Sequence, residues 1–399
     1  MNSPNKLFEA TGSSPTFAIK TLGCKVNQYE SQAMREDLLR LGFVESTGAR
    51  SSNLLLINSC TVTGKADKET RNLIHRFHKA NPEARIAVVG CYAESDLDRS
   101  RLLDMPGKII LVRNSEKKSI AKILACRLDL PETDPGRDRS WSSISGFQNR
   151  DRAFVKVQDG CNHKCSYCKV SIVRGASISR PLTEIIRETE LLVSKGFKEI
   201  VLTGVCLGAW GMDFGNRMRL SGLVRELCEI DGEFRIRLSS IEPAYVTSGL
   251  RQLLNGSTKL CKHLHIPLQS GDDHILKRMR RQYTVRKYYE VVRAIRSEVP
   301  DVAITSDVLL GFPGESERSF ANTLRFVRKF RPSRLHIFSY SKRAGTRAAS
   351  LKHAPGREKV RNRMASLRKL AADLSREFAS SFVGKKATVV IESERDKLT

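Results

Sequence analysis

Six of the ten cysteines in this 399-residue chain carry its sharpest chemical signal. Cys161-Asn-His-Lys-Cys165-Ser-Tyr-Cys168 places three thiols in one short loop. Three closely spaced thiolates can ligate three irons of a cubane iron–sulfur cluster. The fourth iron then keeps an open position, which a catalytic metal needs and a structural one avoids. The alternative is a zinc site completed by His163 or by a distant ligand. Zinc motifs pair CxxC with a second CxxC or an HxxxH, and neither is found here. Ligand count and spacing favour iron.

Cys24, Cys60 and Cys91 form a second set by position. Each closes a short β-branched run: Thr16–Thr21, Asn53–Asn58 and Arg85–Gly90. If these runs are parallel strands, the three thiols share the carboxyl edge of one sheet, where such folds bind ligands. A second three-cysteine cluster site and ordinary packed strand-end thiols both fit that placement. Cys126, Cys206, Cys228 and Cys261 show no ligand spacing and read as packed thiols, with Cys206 just beyond a predicted strand.

The elements that must position these residues follow from periodicity. Lys108–Val112 adds a fourth strand, and Ser31–Leu41 and Lys65–Ala80 have helical spacing. Residues 15–130 therefore read as an α/β domain with a parallel sheet. Residues 1–14 read as a polar tail, and 131–150, rich in Pro, Gly, Ser and charge, as a linker. Strands are then expected at Ala153–Val157, Glu199–Thr203, Phe234–Ser239, His263–Leu268, Val302–Val308 and Arg334–Tyr340, with helices between them. Six such units over 151–380 suggest a partial (β/α)6 barrel; an open doubly wound sheet fits the same pattern. Arg357–Phe378 has the spacing of a basic helix, and Lys385–Glu392 reads as a strand opening a small β module over 381–399.

Charge narrows the partners. The 69 Lys and Arg against 43 Asp and Glu leave +26, a field that favours a polyanionic partner, either nucleic acid or a membrane surface. Lys277–Arg281, Arg325–Arg334 and Arg357–Arg368 concentrate it. No apolar run is long enough for a membrane-spanning helix, and the amino terminus lacks the pattern of a secretory signal. The expectation is a cytoplasmic protein with reduced cysteines and no membrane.

The words around the cysteines add a resemblance. CxxxCxxC with Tyr167 before its last cysteine resembles the radical S-adenosylmethionine superfamily. Thr21-Leu-Gly-Cys24-Lys-Val-Asn-Gln-Tyr-Glu-Ser31, Asn58-Ser-Cys60-Thr-Val-Thr63 and Gly90-Cys91-Tyr-Ala93 resemble the amino-terminal domain of its methylthiotransferases. Arg237–Pro243, His265–Gly271 and Gly311–Glu315 resemble that family's barrel, over roughly residues 16–345 in the right order. The terminal strand resembles the start of the small TRAM β-barrel that ends these enzymes, here cut short. Lys169–Gly175 departs from the string that usually follows the cluster loop in the family.

The resemblance implies two [4Fe-4S] clusters and S-adenosylmethionine. Cys161, Cys165 and Cys168 would hold the cluster that opens the cofactor, and Cys24, Cys60 and Cys91 an auxiliary cluster that donates sulfur. Tyr167, Thr203, Gly204, Ser239, Glu242, Gln269 and Ser270 are the expected cofactor contacts. The implied reaction places a methylthio group on C2 of N6-threonylcarbamoyladenosine-37 in tRNA, presented by the anticodon stem-loop. The alternatives are N6-isopentenyladenosine in tRNA or an aspartate of a ribosomal protein. Gly23-Cys24-Lys-Val-Asn-Gln and Gly90-Cys91-Tyr-Ala are more similar to the threonylcarbamoyladenosine enzymes. An electron donor such as flavodoxin or ferredoxin and a sulfur source complete the expected partners. A non-catalytic iron–sulfur RNA-binding protein is the rival from another class, and it would leave S-adenosylmethionine intact.

Overall fold

The computed structural model describes residues 14–128, 141–148, 150–215 and 218–391. They fall into two units divided after Gln148, with Lys169–Gly175 belonging to the first.

In the first unit, apolar runs form strands β1 (Thr16–Thr21), β2 (Val44–Glu45), β3 (Leu54–Ser59), β4 (Arg85–Gly90) and β5 (Lys108–Val112). They make one parallel sheet in the order β2-β1-β3-β4-β5. Alternate residues point to opposite faces of a strand, so both faces need cover. Phe17, Leu54, Leu56 and Val89 pack with Met34 and Leu38 of helix α1 (Lys25–Arg40). Leu55, Ile57, Ile86 and Val88 pack with Ile74 and Phe77 of helix α2 (Gly64–Ala80). Both faces are closed, which suits an all-parallel sheet. Helix α1 begins at Lys25, six residues before the helix expected from periodicity. Its first two turns bury Asn27, Glu30, Ser31 and Gln32, so polar residues occupy the inward face and mask the apolar stripe. Helices α3 (Asp96–Leu103), α4 (Ile120–Arg127) and α5 (Val170–Arg174) complete this unit.

The second unit has parallel strands β6 (Arg152–Asp159), β8 (Glu199–Gly204), β9 (Arg235–Leu238), β10 (His263–His265), β11 (Ala303–Leu310) and β12 (Arg334–Ser339), with β7 (Ile178–Ser179) antiparallel on the edge of β6. Isolated bridges Ile236↔Leu260 and Ser240↔His265 join the two halves of the sheet. The curled half-barrel is the partial (β/α)6 architecture, and the doubly wound alternative is set aside. Helices α6 (Leu182–Ser194), α7 (Leu220–Glu229), α8 (Ser248–Gly256), α9 (Asp273–Arg278), α10 (Val285–Glu298), α11 (Glu317–Phe330) and α12 (Arg357–Ser380) accompany it.

The expected strand at Lys385–Glu392 is not formed. Lys385–Ile391 has no ladder, and among the described residues no sheet edge accepts its backbone. It is held by Arg235 Nη1 donating to Thr388 O at 3.0 Å and by Lys385 Nζ 3.1 Å from Asp301. Val389 and Ile391 stay exposed. Residues 1–13 of the tail, 129–130, residues 131–140 and 149 of the linker, 216–217 and 392–399 lie outside the described residues. Trp141–Gln148 packs with the first unit, where Tyr29 Oη donates to Ser142 O at 2.7 Å.

Candidate metal centres in two cysteine triads

The first triad is built by strand register. Ser59 pairs with Gly90 across β3 and β4, so Cys60 and Cys91 leave the sheet side by side. Thr21 pairs with Asn58, and the turn after β1 brings Cys24 to the N-cap of α1. Side chains knit the three turns together. Asn27 Nδ2 donates to Leu22 O (2.8 Å) and Ser59 O (3.0 Å), and Asn58 Nδ2 donates to Asn27 O (2.8 Å). Ser59 Oγ donates to Val89 O and accepts from Tyr92 N.

Glycine is required at two of these turns. Gly23 has φ +103°, and a Cβ there would lie 2.6 Å from Cys60 Cβ and 2.8 Å from its Sγ. Gly90 has φ +97°, and its Cβ would lie 2.8 Å from Ser59 O. Burial pushes the Cys60 thiol up to about 11; Val62 N–H opposes, and the Cys91 and Cys24 sulfurs add to the rise. The three sulfurs therefore share one electrostatic neighbourhood. Its flank is a buried ion cluster. Arg174 of α5 donates to Glu30 (2.9 Å) and Asn27 Oδ1 (2.6 Å), and Lys117 Nζ lies 2.5 Å from Glu30. Lys169 Nζ meets Asp98 at 2.5 Å. The segment that departs from the family string, Lys169–Gly175, thus pairs with α1 and α3 of the first unit.

The second triad occupies the loop after β6. Gly160 turns the chain at φ +69°, and Cys168 N donates to Cys165 O at 3.2 Å. Ser166 anchors the loop through its N–H to Met279 O (3.0 Å), its hydroxyl to Arg278 O (2.8 Å) and its carbonyl from Ala348 N (2.7 Å). Tyr167 packs edge-on to Phe312 with ring centroids 6.4 Å apart. Gln158 bridges the strand ends: its amide donates to Gly160 O (2.7 Å) and its Oε1 accepts from Cys206 N (2.7 Å).

Two neighbours of this triad carry no motif. Arg281 Nη1 donates to Cys165 Sγ (3.4 Å) and Tyr167 Oη (3.5 Å), while Nη2 is paired with Glu242. Its side chain is only 5% exposed, so a residue expected on a basic RNA-facing run is interior. Burial raises the Cys165 thiol and Arg281 opposes that rise. Cys206 hydrogen-bonds Cys161, which holds the Cys161 thiol below its ordinary value and pushes Cys206 up. A lone arginine and a lone cysteine carry no sequence signal; only strand-end position distinguished Cys206.

The expected cofactor contacts are distributed as follows. Thr203 and Gly204 end β8, and a Cβ on Gly204 would lie 2.9 Å from Gln158 Oε1. Ser239 follows β9 with a buried hydroxyl that has no hydrogen-bond partner, the kind of atom a polar ligand satisfies. Glu242 is paired with Arg281. Gln269 has φ +65° and its backbone bridges to β11. The Ser270 hydroxyl lies 3.4 Å from Thr323 of α11 and accepts from Asp272 N. No disulfide joins any of the six triad cysteines, and three thiols with an unpartnered strand-end hydroxyl suit a cluster with an outside ligand.

A three-thiol loop after the first strand of a partial β/α barrel defines the class: a radical S-adenosylmethionine enzyme. The Radical SAM superfamily model matches residues 155–327, and the model described as Uncharacterized protein family UPF0004 matches residues 16–112. The chain is 36% identical over 380 residues to the threonylcarbamoyladenosine tRNA methylthiotransferase MtaB of Thermotoga maritima, covering 94% of this chain and 86% of that one. It is 34% identical to the Bacillus subtilis MtaB, covering 94% and 85%. A tRNA-2-methylthio-N(6)-dimethylallyladenosine synthase of Ruegeria pomeroyi is 34% identical over 406 residues, covering 98% and 89%. The fold is shared with the radical S-adenosylmethionine methyltransferase TsrM of Kitasatospora setae, at TM-score 0.59, 14% identity and coverage of 86% and 80%. The chain belongs to the radical S-adenosylmethionine methylthiotransferase family, and its cofactors are S-adenosylmethionine and [4Fe-4S] clusters.

Proposed function

We propose that this protein methylthiolates C2 of N6-threonylcarbamoyladenosine-37 in tRNA. The observation that carries the substrate is the likeness to MtaB enzymes over 94% of the chain. Cys161, Cys165 and Cys168 would hold one cluster, and Cys24, Cys60 and Cys91 the other. Tyr167, Thr203, Gly204, Ser239, Glu242, Gln269 and Ser270 would contact S-adenosylmethionine, and the unpartnered Ser239 hydroxyl favours a polar ligand there.

An unactivated aromatic C–H is not acidic, so side-chain acid–base chemistry cannot replace it. The bound cofactors supply one-electron cleavage of the sulfonium and the sulfur to be transferred. The chain's own groups orient and tune. Arg281 places a positive charge on Cys165 and holds the carboxylate of Glu242. Arg174 puts a buried cation near Cys60. An electron donor such as flavodoxin or ferredoxin and a sulfur source balance the reaction. The target ring carbon is hidden in a base stack, so the base is presented flipped out.

The Ruegeria relative favours a second reading, in which the base carries an isopentenyl group. The test is an anaerobic reaction of the reconstituted protein with two anticodon stem-loops, one bearing each modification. Methylthio product on the threonylcarbamoyladenosine substrate alone is expected; product only on the isopentenyl substrate overturns the assignment.

A further inference from the structure

Strands β10, β11 and β12 are adjacent and parallel, and their register sets His265 beside Thr305 and Asp307 beside His336. Alternate β11 residues Ile304, Ser306, Val308 and Leu310 are buried, so Thr305 and Asp307 occupy the opposite, more open face. On that face His265 Nε2 lies 3.1 Å from one Asp307 carboxylate oxygen, and His336 Nδ1 lies 3.3 Å from the other. One ligand atom from each of the three residues falls within 4.8 Å of the other two.

We propose that His265, Asp307 and His336 bind a divalent transition-metal ion of the zinc or ferrous class. The site shares no residue with either cysteine triad. Two imidazoles and one carboxylate are a donor set for borderline divalent ions. Metal-binding histidines fix their second nitrogen on a hydrogen-bond partner, and His265 Nδ1 lies 2.9 Å from Thr305 Oγ1. That hydroxyl is itself 3.2 Å from His263 Nε2. Asp307 Oδ1 is buried, and His336 Nδ1 beside it at 3.3 Å makes an ion-pair contact without good hydrogen-bond alignment. A closed His–Asp–His hydrogen-bond group would satisfy that oxygen; an ion between the rings and the carboxylate satisfies it instead. His336 is 45% exposed, which gives an ion a way in and leaves room for outside ligands.

The test uses the anaerobically reconstituted protein, with visible absorbance confirming that the clusters are intact. Equilibrium dialysis against Zn2+ followed by elemental analysis should find about one ion per chain beyond the cluster metal. Asp307→Asn and His336→Ala should each weaken that binding roughly 10–100-fold while iron and sulfide contents stay unchanged. Because His336 is exposed, His336→Ala should fold normally, and unchanged cluster absorbance checks it. Co2+ in the same site should give visible d–d bands without thiolate-to-cobalt charge transfer. The proposal is overturned if Zn2+ does not bind saturably, if both variants bind as the wild type does, or if Co2+ shows thiolate bands.

Discussion

On the proposed cluster assignment, Arg281 and Cys60 are the single residues that would tune the two triads. A cation hydrogen-bonded to a cluster thiolate favours the reduced cluster, since hydrogen bonds and net charge tune its potential. Arg281→Met should move the midpoint potential of that cluster to a more negative value and slow S-adenosylmethionine cleavage roughly 10–100-fold. Arg281→Lys should recover part of the potential shift. Redox titration by electron paramagnetic resonance reads the change. Cys60 makes a different prediction, for the cluster-free protein. Its folded pKa, about 11, lies above the ordinary 9.0, so the fold prefers the neutral thiol. That preference contributes fully below pH 9 and is lost as pH rises through 11. Urea unfolding of cluster-free protein should lose up to roughly 2–3 kcal/mol across that window, and Cys60→Ala should abolish this part of the loss. Alkylation near pH 8 should label the exposed Cys24 well before the buried Cys60.

At the scale of elements, tight turns and buried ions hold the strand ends. Gly23→Ala must place a methyl within 3 Å of Cys60 on a backbone at φ +103°. It should cost roughly 1–3 kcal/mol and lower the iron content of the first triad; unfolding curves and iron analysis check both. At the opposite end of the barrel strands, Glu199 is fully buried and paired with Arg235 (2.5 Å), Arg237 (2.7 Å) and Arg152 (3.3 Å). These groups tie the starts of β6, β8 and β9. Glu199→Gln should therefore destabilise the protein by roughly 3–5 kcal/mol, measured by thermal unfolding. Much of this scale was legible in sequence, because strands that pack on both faces read as apolar runs: β1, β4 and β5 match their expected limits, and β3 is shifted by one residue. The start of α1 was hidden because Asn27, Glu30 and Ser31 face inward to brace the triad. Three-residue β10 was overestimated, since Ile266–Leu268 continues apolar without a ladder. The cysteine loop was legible from spacing, whereas the Arg281 contacts and the His265–Asp307–His336 group depend on long-range register that no local pattern carries.

For the whole molecule, the net charge of +26 divides into an interior and a surface share. Arg281, Arg363 and Arg174 are buried in ion pairs with Glu242, Glu315 and Glu30. Arg325, Arg328, Lys329 and Arg334 are exposed, as are Arg357, Arg361 and Arg368 beside a cavity of about 700 Å³. Affinity for tRNA should fall steeply between low and moderate salt. Arg361→Ala with Arg368→Ala should flatten that slope by up to about two phosphate contacts, whereas Arg363→Ala should instead reduce stability. Filter binding across a salt series separates the two. No described helix is long and apolar enough to cross a membrane. The most direct measurement is mass spectrometry of tRNA nucleosides from a strain lacking this protein and complemented with wild type, Cys161→Ala or Cys60→Ala. The expected result is 2-methylthio-N6-threonylcarbamoyladenosine with wild type alone and the unthiolated nucleoside in both variants. Methylthiolated nucleoside from either variant, or none from the wild type, would contradict it.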